Sequence, residues 1–406
     1  MPIDAVTHPG LLDSMTTKED RFARIKKGLA KRGKILFYAS CICTVTGFLG
    51  RYFMGFELTS HFRVQYFLIL LISAIVYGCR KKWKHLAAAL SFLIINGAFI
   101  IPWYLPEKGE NTTGNHPPVR ILFSNVHTSN KDYPSLLELI EKESPDIIAL
   151  QEVDEKWVNA VKGLCPRYPF HEFCPRSDNF GLAVLSKISL RDIQVKSFCK
   201  VMVPTIVAIV QTPASPFTLI ITHPVPPAIP SYYSLRNEQL AQIAEYVRKE
   251  KQPCVIVGDL NLTMWSWYHD KLLAETGMKN ARRGFGINPT WPTLLPPFYI
   301  PLDHCLCTSS IQVLSFRTTA RIGSDHLPCV VDLLIPKEKE SPNFSLESGN
   351  PGDNIQAWIP NKNLTSWPTP ASLTWPVPVN IRMNPAAPAV PRAAGSIPPP
   401  CRPAVR

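Results

Sequence analysis

The sequence predicts a mixed α/β (α+β) domain at residues 119–336, preceded by an N-terminal transmembrane helical segment and followed by a proline-rich tail. Two observations predict the domain. Short apolar runs rich in β-branched residues alternate with segments of helical periodicity, and polar side chains cluster at the edges of these runs. A third observation, three apolar runs within residues 35–105, predicts the membrane segment.

The charge of the chain is distributed unevenly. The 406 residues carry a formal net charge of +12. Residues 1–118 contribute +8, residues 119–336 contribute +1, and residues 337–406 contribute +3. The basic residues therefore belong to the flanks. A nearly neutral domain lacks the overall electrostatic footprint of a strong duplex-binding protein, although a local basic patch is compatible with this composition.

Three apolar runs in the N-terminal part have lengths near the roughly 20 residues that a spanning helix needs. They are Ile35–Phe53, Val64–Cys79 and Leu86–Leu105. Basic residues cluster at 18–34, before the first run, and at 80–84, between the second and third. The positive-inside rule places both clusters in the cytoplasm, so residues 1–34 form a basic cytoplasmic N-terminus.

Three spans place the domain outside the cytoplasm, as part of a multi-pass protein of the cell membrane (inner or plasma). Residues 106–118 then form a polar linker between the last span and the domain. The second run is short for a span. If it does not cross the membrane, the domain lies in the cytoplasm instead.

The stretch Cys254–Asn261 carries the strongest local signal within the domain. An apolar run ends in Gly258, which lets the backbone turn without a Cβ clash, and Asp259 and Asn261 follow. The alternation of a strand predicts that these two side chains lie on the same side. They are either ligands for a metal ion or phosphate at a strand end, or ordinary members of an Asx-turn.

Other predicted strands have similar polar ends. The first strand ends at Asn125, a helix over Tyr133–Glu143 follows, and the strand Ile147–Leu150 leads into Glu152. A carboxylate at this position is either a ligand or a solvated edge residue. Further strands are predicted at 181–186, 217–223, 254–261, 299–306 and 329–335, and a further helix at 237–248.

Five polar motifs occur in an order that resembles the endonuclease/exonuclease/phosphatase superfamily, which has the deoxyribonuclease I-like fold. They are Asn125, Gln151-Glu152, Gly258-Asp259-Leu260-Asn261, Leu302-Asp303-His304 and Ser324-Asp325-His326. The resemblance spans about residues 119–336 and implies a four-layer α-β-β-α sandwich. The hydrophobic anchor, Thr222–Pro227 and Pro289–Pro292 make the chain most similar to a membrane-anchored bacterial branch.

The resemblance implies a divalent-metal-dependent hydrolase of phosphate esters that uses Mg²⁺ or Mn²⁺. Glu152 would be the principal metal carboxylate, with Asn125 and Asp325 completing or indirectly supporting an oxygen-rich site. Asp259 and Asn261 would orient the attacking water and the phosphate.

Two histidines complete the implied site. His326 would contact the phosphate, with Asp303 accepting its other ring N–H and fixing the tautomer. His223 matches the second histidine of the family, a phosphate or leaving-group contact.

Two positions leave questions open. Several nucleases of the family carry an acidic residue where this chain has His127, so a second metal contact from this strand is in doubt. Arg236 is interpreted either as a phosphate contact or as a solvated arginine at a helix start.

The proline-rich tail, residues 337–406, cannot bury enough apolar surface to fold, which predicts disorder or local polyproline II structure. It either binds a cell-surface component or an adaptor, or it is an extension without function. Two function classes remain for the whole chain. It is a membrane-anchored phosphoesterase acting on phospholipid headgroups, nucleic acid or another phosphate ester, or it is a catalytically inactive scaffold tethered to the membrane.

Overall fold

The N-terminal helices and the α/β domain pack together in the computed structural model of the chain. The structure describes residues 9–106 and 116–337, and side chains from residue 21 onward. These residues lie within one compact unit, Met1–Glu338. The tail predicted at 337–406, apart from Lys337, and most of the linker predicted at 106–118 lie outside the described residues.

Four α-helices come first: α1 (Pro9–Thr46), α2 (Met54–Ser60), α3 (Arg63–Cys79) and α4 (Trp83–Ile100). The three long helices meet in a small apolar core that includes Phe37, Leu70 and Ala89. Many large apolar side chains on their other faces remain exposed, and Ile94 keeps 70% of its surface accessible.

Only part of this helical segment passes a length and composition test for a membrane span. Among the described residues, Trp83–Tyr104 is long and apolar enough by itself. The stretches Arg21–Leu49 and Met54–Ser60 pass only as a pair, and the chain bends by 118° between them. Helix α3 is apolar but has only 17 residues. The structure therefore provides one candidate span, or two if the bent pair counts, and the three spans stay a prediction.

Twelve strands and four more helices form the domain. The strands are β1 (Val119–Asn125), β2 (Ile147–Gln151), β3 (Phe170–Cys174), β4 (Leu182–Ser186), β5 (Leu190–Ser197), β6 (Pro204–Gln211), β7 (Pro216–Thr222), β8 (Cys254–Asp259), β9 (Met278–Asn280), β10 (Asp303–Thr308), β11 (Gln312–Thr318) and β12 (Cys329–Leu334). The helices are α5 (Tyr133–Glu143), α6 (Glu155–Val161), α7 (Pro230–Lys249) and α8 (Trp267–Thr276).

The strands form two six-stranded sheets, which confirms the predicted two-sheet α/β domain. One sheet has the order β11-β12-β1-β2-β4-β3, and the other has the order β5-β6-β7-β8-β10-β9. Apolar side chains from both sheets, such as Phe123 and Val257, form the core between them. Helices α5 and α6 cover the outer face of the first sheet, and α7 and α8 cover that of the second.

Strand pairing brings the polar strand ends to one edge. Strands β1 and β2 are parallel, and Asn125 lies beside Gln151 at their carboxyl ends. Strands β8 and β10 are antiparallel, so Asp303 at the start of β10 lies beside Asp259 at the end of β8. Because the two sheets pack face to face, these ends lie close to one another.

Arg236 has neither of the two roles considered from the sequence, a phosphate contact or a solvated arginine at a helix start. Helix α7 begins at Pro230, so Arg236 lies inside the helix rather than at its start. Its side chain is fully buried, and its Nη2 donates to Oε2 of the equally buried Glu57 at 2.6 Å. Arg236 is therefore neither solvated nor available to a phosphate. It joins the N-terminal segment to the domain.

Replacing Glu57 by alanine should lower the free energy of unfolding by about 3–5 kcal/mol, because it leaves the Arg236 guanidinium buried without its charge partner. Chemical denaturation of the full chain in detergent measures this loss. Glu245→Ala is the matched control, since that glutamate pairs with Lys249 on the exposed face of α7 and should leave stability nearly unchanged. Equal stability of the Glu57 and Glu245 variants would contradict the anchoring role of the buried pair.

Candidate functional site

The structure brings together all eight side chains named from the sequence. Asn125 connects the two sheets, because its Nδ2 donates to Glu152 Oε1 at 2.8 Å and to Asp259 Oδ2 at 3.3 Å. The other five contact this group directly or through a neighbour: His223, Asn261, Asp303, Asp325 and His326. One end of the two-sheet sandwich therefore holds the whole set.

Glu152 is held at a sharp turn directly after β2. Its φ of 61° lies in the left-handed region, which a non-glycine residue seldom adopts. Thr128, in the loop after β1, stabilises this turn by donating from Oγ1 to the Glu152 carbonyl at 2.9 Å and from its backbone N–H to Oε2 at 3.3 Å. The carboxylate is thus aimed inward rather than solvated at an edge, with only 12% of the side chain exposed.

His127 lies between two of the carboxylates. Its Nδ1 is 3.5 Å from Glu152 Oε2 and 3.4 Å from Asp325 Oδ1. The side chain of Asp325 is also fixed by Trp291, whose Nε1 donates to Oδ2 at 3.1 Å. From the sequence, His127 was interpreted only as a departure from the family pattern, and Trp291, within Pro289–Pro292, was given no role in the site.

The donor set at this position suits a hard divalent cation. The carboxylate oxygens of Glu152 and Asp325 match the preference of Mg²⁺ and Mn²⁺. Asn125 turns its Nδ2 towards Glu152, and its Oδ1 accepts from the His127 backbone N–H at 3.0 Å, so Asn125 supports the Glu152 carboxylate and offers no free oxygen. Asp325 Oδ1 is buried and accepts no hydrogen bond, as expected of an atom that a cation would satisfy. In the described part of the chain, however, no group of three or more His, Cys, Asp or Glu side chains is arranged to hold a metal ion by itself.

Asp303 fixes the orientation of His326. The histidine donates from Nδ1 to Asp303 Oδ2 at 2.7 Å, which leaves Nε2 facing Asp259 Oδ2 at 3.6 Å. Burial opposes the charged form of His326, but Asp303 and Asp259 outweigh it and raise the pKa of the imidazole to about 10. An imidazolium in this place can donate a hydrogen bond to an anionic oxygen.

Asp259 lies between two histidines. The Nε2 of His223 is 3.5 Å from Asp259 Oδ2, close to the same oxygen that His326 faces. Burial disfavours the Asp259 carboxylate, but His326 and His223 outweigh it and lower its pKa to about 2. Burial likewise opposes the charge on His223, yet Asp259 raises the pKa of that histidine. The site therefore combines a fixed anion with two cationic donors.

Asn261 lies in a turn and not on the strand. Strand β8 ends at Asp259, and Asn261 has a φ of 52°. Its backbone N–H donates to Asp259 Oδ1 at 2.9 Å, and its Nδ2 donates to the Pro224 carbonyl at 2.9 Å. Strand alternation was thus the wrong reason for placing both side chains on one side. The Asx-turn and the site occur together, and Arg236 Nη1 supports the turn by donating to the Asn261 carbonyl.

Replacing Gly258 by alanine should destabilise the chain by more than about 1 kcal/mol. Its φ is 141°, and an added Cβ would lie 2.1 Å from the Thr222 carbonyl oxygen of β7. Thermal unfolding measures the loss. Gly163→Ala is the matched control, because a Cβ there meets no heavy atom within 4 Å. A Gly258 variant as stable as the Gly163 variant would show that β7 can move away without cost.

A pocket of about 690 Å³ opens above these residues. Its polar end includes Glu152, His223 and Asp259. Its wall includes Leu58 of α2 and, just beyond that helix, His61 and Phe62. Sequence reasoning placed the N-terminal segment apart from the site. One signal could have indicated the contact, since Glu57 is the single acidic residue between Asp20 and Glu107.

A comparison with known protein families gives a match for the domain. A sequence model described as the Endonuclease/Exonuclease/phosphatase family matches residues 122–326, just over half of the chain. No curated protein matches the chain.

Several solved structures resemble the chain over about half of its length. Humanized D. rerio TDP2 carrying 14 mutations has 16% identity and a TM-score of 0.46, covering 53% of this chain and 99% of that one. The catalytic domain of human Nocturnin with bound sulfate has 18% identity and a TM-score of 0.46, covering 54% and 95%. An endonuclease/exonuclease/phosphatase from Beutenbergia cavernae DSM 12333 has 18% identity and a TM-score of 0.44, covering 54% and 72%.

Proposed function

The chain belongs to the endonuclease/exonuclease/phosphatase family, and from this we propose that it is a membrane-anchored, divalent-metal-dependent phosphoesterase. Members of the family are generally metal-dependent phosphoesterases, such as nucleases and phosphatases. One observation carries the proposal for this chain. The eight side chains that the family pattern singles out form one connected group at the polar end of a pocket.

The proposed cofactor is Mg²⁺ or Mn²⁺. Glu152 and Asp325 would hold the cation through carboxylate oxygens, one of which, Asp325 Oδ1, is buried and makes no hydrogen bond, and Asn125 would support the site indirectly through Glu152. When bound, the cation would withdraw negative charge from the phosphoryl oxygens.

Side chains of the protein would position the phosphate and the attacking water and would stabilise the charge that develops on the phosphate. His326, oriented by Asp303, would donate from Nε2 to a phosphoryl oxygen and stabilise the charge that develops there. His223 would contact the phosphate or the leaving group. Asp259 and Asn261 would orient the attacking water from the β8 turn. Because both histidines are buried and fixed, these donors need little reorganisation during the reaction.

The arrangement of the helices supports the proposed membrane anchor. The bacterial membrane-anchored branch is proposed from that anchor together with Thr222–Pro227 and Pro289–Pro292. Residues of the first basic cluster, including Lys27 and Lys31, lie around one surface cavity with Arg80 and Lys82 of the second. Both clusters therefore lie at the end of the helices away from α2 and the domain. By the positive-inside rule this end is cytoplasmic, and the domain lies outside, at the surface of the lipid bilayer. Exposed apolar faces on the helices are compatible with contact with lipid.

A substrate panel tests this proposal. The purified full chain is assayed with Mg²⁺ on DNA, RNA, sphingomyelin, phosphoinositides and aryl phosphates. We expect hydrolysis of at least one class and its loss when a chelator removes the cation. A chain that binds Mn²⁺ yet hydrolyses nothing on the panel would be an inactive member of the family that serves as a membrane-tethered scaffold.

A further inference from the structure

The wall that the N-terminal segment contributes is fixed to the domain. Glu57 of α2 forms the buried pair with Arg236, and His61 Nδ1 contacts Thr263 Oγ1 of the domain at 3.0 Å. The phenolic hydroxyl of Tyr233 also donates to the Gly50 carbonyl at 3.1 Å. These contacts fix the N-terminal segment to the domain, so the segment forms part of the pocket wall.

This wall makes one side of the pocket apolar. Leu58 and Phe62 line it together with Phe180, Tyr232 and Ile300 from the domain. His61 adds no charge at neutral pH, because burial lowers the pKa of its imidazole to about 4. The pocket thus has a polar end, where the candidate catalytic residues lie, and an apolar side that water solvates poorly.

Apart from the histidines of the site, the described lining contains no cationic side chain. Of the described residues that line this pocket, none is a lysine or an arginine. Proteins that bind nucleic acids use such side chains to contact the phosphates that flank the reacting one. In this chain, the basic clusters lie instead at the far end of the helices. The pocket therefore suits a substrate with a single phosphate group better than a polyanion.

An apolar loop continues this side of the site towards the helices. It follows Trp291, which lines the pocket, and exposes Leu294, Leu295 and Phe298, with 73% of Leu294 accessible. Helix α3 contacts the end of the loop through Gln65, whose Nε2 donates to the Tyr299 carbonyl at 3.0 Å. Neighbouring exposed apolar side chains of this kind mark surfaces that contact a partner or a membrane.

We infer that the substrate is a phosphate ester whose alcohol carries an apolar chain, with the phosphate at His223, Asp259 and His326 and the chain against Leu58 and Phe62. This inference rests on the proposed function and names its substrate class. A lipid in the bilayer and a water-soluble amphiphile share this chemistry. The loop and the helices place the pocket beside the bilayer in the proposed topology.

The test uses 4-nitrophenyl phosphodiesters whose second alcohol is methyl, butyl or octyl. Hydrolysis adds water across the P–O bond to the aryl group and releases 4-nitrophenol and an alkyl phosphate, so the reacting bond is the same in all three. With the full chain and Mn²⁺, kcat/KM should rise by up to about fourfold for each methylene that enters the pocket. The octyl ester should exceed the methyl ester by at least about 10²-fold.

Variants of the pocket wall test whether Leu58 and Phe62 cause the preference for the octyl ester. Leu58→Ala and Phe62→Ala should each lower the ratio of kcat/KM between the octyl and methyl esters by about tenfold. Leu314→Ala is the matched control, because Leu314 is an exposed leucine of β11 that does not line the pocket, and it should leave the ratio unchanged. A ratio that falls equally in the Leu58 and Leu314 variants would overturn the assignment of the wall.

The outcomes separate this inference from the proposed function. Equal kcat/KM for the three esters, or faster cleavage of a single-stranded oligonucleotide than of the octyl ester, would overturn the inference and leave the phosphoesterase intact. Failure to hydrolyse any ester would overturn the proposed function itself. If the octyl ester is hydrolysed faster in phosphatidylcholine vesicles than as a monomer in solution, the natural substrate is a lipid of the bilayer. If it is hydrolysed faster as a monomer, the natural substrate is a water-soluble amphiphile.

Discussion

Glu152→Ala is expected to abolish both metal affinity and turnover. The Glu152 carboxylate follows β2 directly, and no residue of β2 is an aspartate or a glutamate that could replace it. Asp325, on the other side of His127, would be left as the one carboxylate among the proposed ligands. Calorimetric titration with Mn²⁺ and hydrolysis of an aryl phosphodiester measure the two losses in the same preparation.

Glu138→Ala provides the control for this variant. Glu138 is an exposed glutamate of α5, away from the site, and its replacement should change neither quantity. Metal-dependent hydrolysis that survives Glu152→Ala unchanged would remove the assignment of Glu152 as the principal metal carboxylate.

His326→Ala should separate catalysis from metal binding. If His326 stabilises the phosphoryl transition state, its loss removes one preorganised donor and lowers kcat by about 10²–10³-fold. The proposed metal ligands do not include this side chain, so Mn²⁺ affinity should remain close to that of the unmodified chain. The same titration and aryl phosphodiester assay give both values.

Asp303→Asn should cause a smaller loss of kcat than His326→Ala. The amide keeps the shape of the side chain but no longer holds the imidazole as a charged acceptor, so the histidine is misoriented and not deleted. His171→Ala, on β3 and outside the pocket lining, serves as the histidine control. A loss for Asp303→Asn greater than that for His326→Ala would mean that Asp303 acts by a route other than this histidine.

Much of the domain could be predicted from the sequence because local patterns determine it. The prediction of helix α5 matches at both ends, where Asp132 caps the first turn and Ser144 adopts the left-handed conformation after the last. The core strands β1, β2 and β8 lack charged residues except at Arg120 and Asp259, and apolar runs of this kind identify buried strands. Polar residues at the ends of such strands then identified the site.

Other features depend on contacts that no local pattern records. Strand β5, with the sequence LRDIQVKS, is a largely exposed strand at the edge of its sheet. Its charged residues interrupt the alternation of apolar and polar residues that identifies a strand in a sequence. Helix α7 begins at Pro230, earlier than its apolar spacing indicated. The pairing of Glu57 with Arg236 joins residues far apart in sequence, so the contribution of the N-terminal segment to the pocket appears only in three dimensions.

Metal-dependent turnover of bis(4-nitrophenyl) phosphate by the full chain tests the central claim most directly. The rate is measured with Mg²⁺, after removal of the cation with a chelator, and after addition of excess Mg²⁺ or Mn²⁺. We expect hydrolysis that disappears with the chelator and returns with either cation. Hydrolysis that continues unchanged in the presence of the chelator would contradict the proposed metal-dependent mechanism.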